Sequence, residues 1–363
     1  MIVKQLIEKI ITEIKDKRNN NQTFESFISE RIGNYIEDVR KIEDLEFPFN
    51  KEKVVNKIIE AKEVIDGALR EYSRANLIKS IEYIKEYVNN NNDNLLTWEI
   101  SKDIILDQYW FRMRKQEDNH PVFPADQMFH IPFQLRTKVN TQRYSLPGYP
   151  CLYVSRSIWG CWEEMHEPKL SEFCVSCLKV VSNFTVLDLR IPRLNDILKD
   201  KVESTFCTLP FVIASSVPVL LPNDNFKPEY IIPQLLMLAL VDNINIVGCS
   251  YTSTLRNDFF KWDLRLLDNI ALPVQCVPTK EDKNEFCSKL TSYFTISDGT
   301  NYEYEAIREP FSTIFLKIME KDGHCRDTGL EYPNSYFGQM EERLKANSNH
   351  FKHLDPTKKE INN

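Results

Sequence analysis

An apolar stripe at helical spacing runs through the first ninety residues of the chain. The same spacing returns at 54–69 and at 78–88, and it begins with Val3, Leu6, Ile7, Ile10, Ile11 and Ile14. Apolar residues three and four positions apart share one face of an α-helix, so each segment can bury that face against another helix. The asparagine-rich stretch at 89–94 then favours a turn or loop. The pattern predicts an all-helical bundle over residues 1–100.

From about residue 105 the pattern changes to short runs rich in β-forming residues. The runs are CLYVS at 151–155, CVSCLKVV at 174–181, FTVLDL at 184–189, INIVGCSY at 244–251 and LPVQC at 272–276. They alternate with predicted helices at 157–165, 192–200, 229–242 and 280–293. Such alternation is typical of a mixed α/β domain. The predicted fold class is therefore α+β, with the helical bundle followed by a mixed α/β domain at 105–300 and a C-terminal extension at 301–363.

Composition limits the kinds of partner and compartment. The 363 residues carry a formal net charge of −7 with no basic block, so no nucleic-acid partner is expected. No run of about 18 apolar residues is present, and the opening stretch MIVKQLIEKIITEIKDK carries a charge every few residues. These features predict neither a membrane span nor a signal peptide. Nine cysteines, an odd number, indicate a cytoplasmic protein with reduced thiols.

Two arginines stand in the aromatic run YWFRMR at 109–114. If this run is a strand, the side chains of Arg112 and Arg114 point to the same face. Two fixed guanidinium groups on one face suit the recognition of phosphate or carboxylate. The alternative is a strand at a sheet edge whose arginines are solvated, because charged residues are mostly exposed.

A second candidate is the stretch RYSLPGYPCLYVSRSIWGCWEEM at 143–165. Arg143 precedes a turn, and Tyr153 lies on a short apolar strand that leads into a helix. Glu164 falls near the end of that helix, where the helix dipole disfavours a negative charge. A carboxylate in that position indicates a functional group. The alternative is a surface glutamate on an amphipathic helix, a role that Glu163 fills equally well.

Further polar groups follow later in the chain. Ser215 and Ser216 come after an apolar run. A buried hydroxyl needs a hydrogen-bond partner, so this pair can either cap a core segment or face a ligand. Gln234, near the start of the predicted helix at 229–242, can face a pocket or water.

The cysteines raise the alternative of a zinc site. Cys174 and Cys177 form a C-x-x-C pair, with Cys161 and His166 nearby. The strand-like alternation of FCVSCLKVV puts the two cysteines of the pair on opposite faces, and no second C-x-x-C or H-x-x-H accompanies them. We therefore expect no metal site. The sequence also lacks G-x-G-x-x-G, Walker A and G-x-S-x-G motifs.

Taken together, the motifs between residues 109 and 254 resemble the RES domain family, prokaryotic toxins that degrade NAD⁺. Phe111-Arg112 matches the family's first motif, and IASSVPV supplies its serine as Ser215 or Ser216. The second motif is matched by Arg143, Gly148, Pro150, Tyr153 and, eleven residues after the tyrosine, Glu164. The later YIIPQLL and GCSYTST are similar to one subgroup of the family.

Two positions depart from the family's pattern. Ser145 stands where the second motif has an asparagine, and Pro233-Gln234 stands where many members have Asn-Pro after the serine.

The resemblance implies a fold similar to that of ADP-ribosyltransferases, which hold NAD⁺ in a cleft of a mixed sheet. NAD⁺ is then a substrate, and no cofactor or metal is implied. Catalytic roles fall to Glu164, Arg112, Tyr153, Ser215 and Ser216. NAD⁺-binding roles fall to Arg143, Tyr144, Arg114, Gln234 and Tyr251.

The resemblance also bears on regulation and partners. Residues 1–100 resemble the HEPN-like helical domain that often precedes RES domains, but the R-x4-H motif of HEPN ribonucleases is absent. An antitoxin or trigger protein is an expected partner, and a homodimer is compatible with either region. Three functions remain open at this point: an NAD⁺ glycohydrolase toxin, a protein ADP-ribosyltransferase with the same pocket, and an inactive interaction protein.

Overall fold

The structure is a computed structural model that describes residues 1–14, 16–44, 46–116, 122–193, 197, 199–254, 264–275, 286–301, 332–346 and 350–356. Within these residues the helices are α1 (Val3–Glu13), α2 (Phe24–Arg40), α3 (Lys51–Ser73), α4 (Leu77–Asn90), α5 (Ala125–Met128), α6 (Ile158–Glu164), α7 (Val202–Ser215), α8 (Ile231–Leu240), α9 (Ser288–Tyr293) and α10 (Tyr336–Ala346). The strands are β1 (Thr97–Ile100), β2 (Tyr109–Lys115), β3 (Cys151–Ser155), β4 (Phe173–Val180), β5 (Phe184–Leu189), β6 (Cys249–Thr252), β7 (Asp268–Pro273) and β8 (Phe294–Ile296). The predicted combination of N-terminal helices with a mixed α/β region is confirmed.

The chain divides into two compact units that alternate along the sequence. Unit 1 comprises Met1–Trp98, Asn140–Pro147 and Thr185–Asn257. Unit 2 comprises Glu99–Val139, Gly148–Phe184 and Asp258–Asn363. These units are not contiguous in sequence, whereas the predicted domains at 1–100, 105–300 and 301–363 are. Whether the predicted segments are independent domains stays a prediction. Of the predicted C-terminal extension, residues 302–331 lie outside the described residues.

The first helix of unit 1 buries the apolar stripe seen in the sequence. The side chains buried along α1 and at its C-terminal cap are Val3, Leu6, Ile7, Ile10 and Ile14. Each aliphatic side chain of this size contributes about 1.5–3 kcal/mol when it is removed from water. The stripe therefore fixes which face of α1 turns to the core.

The N-terminal helices share a core with two helices from later in the chain. Helices α2 and α3 pack against α7, and α3 and α4 pack against α8. Phe49 meets Phe206 of α7 edge to face, with ring centroids 5.1 Å apart, and Tyr87 of α4 meets Phe211 at 5.3 Å. Tyr35 of α2 donates a hydrogen bond from its hydroxyl to Phe206 O at 3.0 Å. Aromatic pairs of this kind add packing energy beyond the area they bury.

The sheet of unit 2 has the strand order β7-β3-β2-β4-β8, and every neighbouring pair is antiparallel. Seven residue pairs join β2 to β4, and five join β3 to β7. Between β2 and β3, the described residues form the single pair Phe111↔Ser155. The ladder is therefore weakest between β2 and β3, the strands that carry Arg112 and Tyr153.

Several predicted strands agree with the structure, and others are displaced. The runs at 151–155, 174–181 and 184–189 correspond to β3, β4 and β5, and in unit 1 β5 runs parallel to β6. Only the end of the run at 244–251 is a strand, because Asn243 Oδ1 accepts hydrogen bonds from the N–H groups of Asn245 and Ile246 at 2.9 Å and so holds a turn. β7 ends at Pro273 and begins with Asp268 and Asn269, residue types that are depleted in strands.

The predicted helices at 157–165 and 229–242 correspond to α6 and α8. Of the predicted helix at 192–200, residues 194–196 and 198 lie outside the described residues, and Lys199–Lys201 is a 3-10 turn. Residues 280–285 of the predicted helix at 280–293 also lie outside them, and α9 covers its end. In the part of the chain that the structure describes, no helix combines the length and hydropathy of a membrane span.

Helix α6 lies unusually close to the sheet of unit 2. Ser157 caps it, since its Oγ accepts a hydrogen bond from Gly160 N at 2.8 Å and donates one to Leu266 O at 2.6 Å. A Cβ atom at Gly160 would lie 2.2 Å from Ser155 Oγ and 2.7 Å from Leu266 O. Real Cβ atoms do not approach other atoms so closely, so only glycine fits here.

We expect Gly160→Ala to lower the free energy of unfolding by about 1–3 kcal/mol, because the added methyl group overpacks the contact between α6 and β3. Gly33→Ala is the matched control. It lies within α2, and a Cβ there meets nothing within 4 Å. Alanine should therefore stabilise that helix, by up to about 1 kcal/mol. Urea denaturation of both variants measures the difference, and equal effects would contradict the close approach.

Candidate functional site

The ten residues predicted to form the site divide between the two units. Unit 2 contains Arg112, Arg114, Tyr153 and Glu164. Unit 1 contains Arg143, Tyr144, Ser215, Ser216, Gln234 and Tyr251. Each group has a geometry of its own.

Arg112 on β2 is a half-buried cation that has no acidic partner among the residues the structure describes. Its Nη1 donates to Tyr153 O at 2.9 Å, while its Nε is buried and has no hydrogen-bond partner in the described part of the chain. Burial is the main cause that lowers the pKa of Arg112 to about 10; Arg114 lowers it further, while Cys161 and Tyr153 oppose the shift. The guanidinium therefore stays charged at neutral pH and retains an unused donor. Such a group attracts an anion.

Tyr153 and Glu164 border the same face of the sheet. Glu164, the last residue of α6, accepts a hydrogen bond from Asn269 Nδ2 at 3.1 Å. Asn269 of β7 pairs with Ser155 of β3, and paired residues of antiparallel strands project to the same face. Tyr153 lies two residues before Ser155 and shares its face.

Alternation along β2 assigns Arg112 to the opposite face from its neighbour Phe111, which pairs with Ser155. Its guanidinium nevertheless reaches the main chain of β3 at Tyr153. The buried thiol of Cys161 lies near the charges of Arg112 and Glu164. Burial raises the pKa of this thiol to about 12; Arg112 opposes the rise, and Glu341 and, to a smaller extent, Glu164 add to it.

The two adjacent glutamates of α6 have different surroundings. Glu163 is buried, and its Oε1 accepts a hydrogen bond from Trp159 Nε1 at 2.8 Å, one helical turn earlier. Glu164 is half-buried and turned to Asn269. Glu163 therefore has a packing role, and Glu164 is the carboxylate that solvent or a ligand can reach.

Arg114 is held in a different environment from Arg112. It is exposed, its Nη1 donates to Gln127 O at 2.8 Å, and its guanidinium lies 4.2 Å from the centroid of the Phe123 ring. These contacts account for Arg114 as a surface cation over an aromatic ring. Its part in binding NAD⁺ stays a prediction.

Sequence reasoning missed three residues of unit 2 that act on these groups. Asn269 orients Glu164, and nothing in the sequence marks it. His130 is buried, and its Nε2 accepts a hydrogen bond from Cys287 N. Its Nδ1 lies 2.9 Å from Ile131 O. Burial lowers the pKa of His130 to about 4, so it is neutral at physiological pH. Glu341 of α10 is the third.

Glu341 anchors the start of α6. Its Oε1 accepts hydrogen bonds from Ile158 N at 2.7 Å and from the hydroxyl of Tyr332. The side chain is 5% exposed, and Lys345 Nζ lies 3.9 Å from its Oε2. A carboxylate is favourable at a helix N-terminus, whose free N–H groups need acceptors. α6 is thus held at its start by Ser157 and Glu341, and its end presents Glu164.

In unit 1, Arg143 closes the C-terminal end of α7. Its Nη1 donates to Ser215 O at 2.9 Å and to Val217 O at 3.1 Å, and its Nη2 donates to Thr254 Oγ1 at 3.3 Å. A cation at a helix C-terminus satisfies carbonyl groups that lack intrahelical partners. This structural role was not predicted, and it occupies three of the five guanidinium donors.

Gln234 holds the turn that carries Arg143. Its Nε2 lies within hydrogen-bond distance of Thr141 Oγ1, Gln142 O and Ser145 O, at 3.1, 2.9 and 3.2 Å. Gln234 is therefore a positioning residue for the turn. A direct contact with NAD⁺ stays a prediction.

Tyr144 and Tyr251 pack on each other, with ring centroids 4.5 Å apart and both side chains buried. This contact accounts for both tyrosines as part of the core of unit 1. Their predicted part in binding NAD⁺ stays a prediction.

The two serines differ in their hydrogen bonding. Ser215 is the last residue of α7, and its buried Oγ has no hydrogen-bond partner among the residues that the structure describes. Ser216 caps the helix through its main chain, with its N–H donating to Val212 O at 3.0 Å. Buried hydroxyls are nearly always hydrogen-bonded, so the unused Oγ of Ser215 favours it over Ser216 as the hydroxyl that a ligand could bind. The buried Oγ of Ser253 is likewise without a partner in the described residues.

Over the described ranges, no group of three or more His, Cys, Asp and Glu side chains is placed to hold a metal ion. The Sγ of Cys161 donates to Phe111 O at 3.2 Å, and Cys174 and Cys177 are both buried in β4.

Comparison with known proteins finds a relative in Bacillus subtilis (strain 168) that is named Putative toxin YopC. The two sequences are 30% identical over 370 residues, which cover 92% of this chain and 80% of that protein. The chain belongs to the family of that protein. No protein-family model and no solved structure matches the chain.

Burial raises the pKa of Glu341 from 4.5 to about 7, so the folded state binds this proton more tightly than the unfolded state. Its contribution to stability is greatest below pH 4.5 and declines as pH rises towards 7, by about 3 kcal/mol in total. We expect Glu341→Gln to remove this decline. Unfolding free energies of both proteins at pH 5 and pH 8 test it, since other titrating groups cancel in the difference. A difference that does not change with pH would contradict the assignment.

Proposed function

We propose that this chain is an NAD⁺ glycohydrolase that acts as a toxin by depleting NAD⁺. The toxic role is supported by its family relative, whose name describes a toxin. The chemistry is supported by the resemblance of its motifs to RES domains. The observation that carries the proposal is Arg112, a desolvated guanidinium with an unused donor and no acidic partner in the described residues.

An anion near Arg112 would accept the hydrogen bond that its Nε can still donate. A pyrophosphate offers several charged acceptors at the distances that a guanidinium fork can reach. Moving a charge out of water without a partner is costly, so a substrate that supplies the partner gains binding energy at that position. This favours a phosphate-bearing substrate over a neutral one.

Tyr153 and Glu164 border the opposite face of the sheet from Arg112, but the Arg112 guanidinium reaches the main chain of β3 where one residue pair joins β2 to β3. We therefore assign Tyr153 and Glu164 to the other end of such a substrate. A tyrosine ring can stack on the flat nicotinamide ring and exclude water. The carboxylate of Glu164 can stabilise the positive charge that develops on the ribose as the glycosidic bond breaks. Its hydrogen bond from Asn269 fixes its orientation before the substrate arrives.

The reaction needs few catalytic groups. Water attacks the anomeric carbon of the nicotinamide ribose, and the bond from that carbon to the ring nitrogen breaks. The bonding electrons neutralise the positively charged pyridinium, so nicotinamide departs without a general acid. The attacking water loses a proton to Glu164 or to solvent. One well-placed carboxylate is therefore sufficient, whereas ordinary glycosidases use two.

Other parts of the proposal rest on the same resemblance. NAD⁺ is a substrate, and the protein retains no cofactor. The resemblance also implies NAD⁺-binding roles for Arg143 and Ser215, which belong to unit 1. We place the protein in the cytoplasm, with an antitoxin or trigger protein as partner and a homodimer as a possible assembly.

We expect Glu164→Gln to reduce nicotinamide release from NAD⁺ by about 100-fold or more, the loss typical of removing a group that stabilises transition-state charge. Purified protein is incubated with NAD⁺, and nicotinamide, free ADP-ribose and ADP-ribosylated protein are quantified. Glu163→Gln is the matched control, because it changes the adjacent carboxylate, which contacts Trp159. It should keep most of the activity if its thermal unfolding is unchanged.

The products separate the remaining functions. Free ADP-ribose supports hydrolysis, whereas labelled protein would indicate ADP-ribosyl transfer with the same carboxylate. Equal losses in the two glutamate variants would overturn the role of Glu164. If the parent protein neither binds nor consumes NAD⁺, the inactive interaction protein becomes the better description.

Arg112→Lys should weaken NAD⁺ binding by roughly 10- to 100-fold, because lysine keeps the charge but loses the fork and the hydrogen bond to β3. The change is expected mainly in KM, measured by nicotinamide release at varied NAD⁺. Arg114→Lys is the comparison, since that arginine is exposed and already bound to Gln127. A larger effect at Arg114 than at Arg112 would contradict the proposal.

A further inference from the structure

We propose that unit 1 contains a binding site for a small carboxylate with an aromatic or branched apolar body. The site is a cavity of about 180 Å³ beside α7. Its lining includes none of the ten residues predicted for NAD⁺ chemistry, so the proposal stands apart from the proposed function.

The walls of the cavity are mostly apolar. Leu209 and Val212 of α7 form one wall, and Leu96, Ile191 and Ile197 also line it. An apolar cavity of about 150 Å³ is known to admit benzene, so this one has room for a single ring or a branched aliphatic group. The body of the ligand is limited to that size.

The two threonines that α7 contributes to the walls already have hydrogen-bond partners. Thr208 Oγ1 donates to Ser204 O and accepts from Leu96 N, at 2.8 and 2.7 Å. Thr205 Oγ1 donates to Lys201 O at 2.8 Å. These two hydroxyls are therefore not free to bind a polar ligand body, and the apolar side chains of the walls favour an apolar one.

The charged groups of the lining favour an anion. The lining contains three cations, Arg190, Arg193 and Lys201, and one carboxylate, Asp188. Asp188 is committed to Arg190, whose Nε and Nη2 donate to it at 2.8 and 2.7 Å. Burial raises the pKa of Asp188, but Arg190 outweighs this and the net pKa is lowered, so the pair stays ionised.

Lys201 provides a further cation in the lining. Its side chain is exposed, and no ion pair joins it to an acidic residue within the described ranges. Arg190 also stacks on Trp98, with its guanidinium carbon 3.7 Å from the ring centroid, which holds that wall in place. A ligand with its ring in the cavity can direct its carboxylate to Lys201.

Benzoate is the probe for this site, and titration calorimetry on the full chain is the measurement. We expect saturable binding of benzoate, binding about fivefold or more weaker for benzyl alcohol, and none for acetate at the same concentrations. These two controls remove the charge and the ring in turn. Equal binding of all three compounds, or no saturable binding of benzoate, would overturn the proposal.

Two variants locate the bound benzoate. Lys201→Met removes an exposed charge and should leave folding intact while weakening binding about fivefold. Val212→Phe fills the cavity and should abolish binding, with thermal unfolding as the check that the variant folds. Benzoate binding that is unchanged in Lys201→Met would place the anion elsewhere and contradict the site.

Discussion

The close approach of α6 to the sheet sets the position of the candidate groups in unit 2. Gly160 permits it, because any side chain would collide with Ser155 and with the main chain at Leu266. Ser157 and Glu341 supply acceptors to the start of the helix, so the helix cannot slide along its axis without losing them. Glu164 therefore reaches Asn269 as a consequence of contacts made at the opposite end of a short helix.

Unit 2 holds charged side chains at positions where water solvates them only in part. Arg112 lies beside the least-paired part of the sheet, and its hydrogen bond to the main chain of β3 stands where further ladder bonds would otherwise form. Glu341 is an acidic example of the same effect, because burial disfavours its negative charge and raises its pKa towards neutrality. The charged form of such a group is less stable than it would be in water. Groups of this kind are common at sites that bind ligands or catalyse reactions.

Periodicity was sufficient to predict the helices α1, α3 and α4, the strands β3, β4 and β5, and the helix that ends at Glu164, but it assigned no separate stripe to α2. It failed for β7, because Asp268 and Asn269 occupy a strand that their residue types disfavour. The site was predicted only as a set of residues. That Arg143 closes α7, that Gln234 holds a turn, and that Glu341 anchors α6 all depend on contacts across 72 to 183 positions of sequence. No local pattern encodes such contacts.

The shared core of unit 1 has a consequence for how the chain can be cut. Phe206 and Phe211 of α7 are covered by Phe49 and Tyr87, which come from the first ninety residues. A fragment that starts near residue 100 would leave both phenylalanines facing water, as part of a large apolar patch that favours aggregation. A protease that removed the N-terminal helices would therefore leave a remainder of the chain that aggregates.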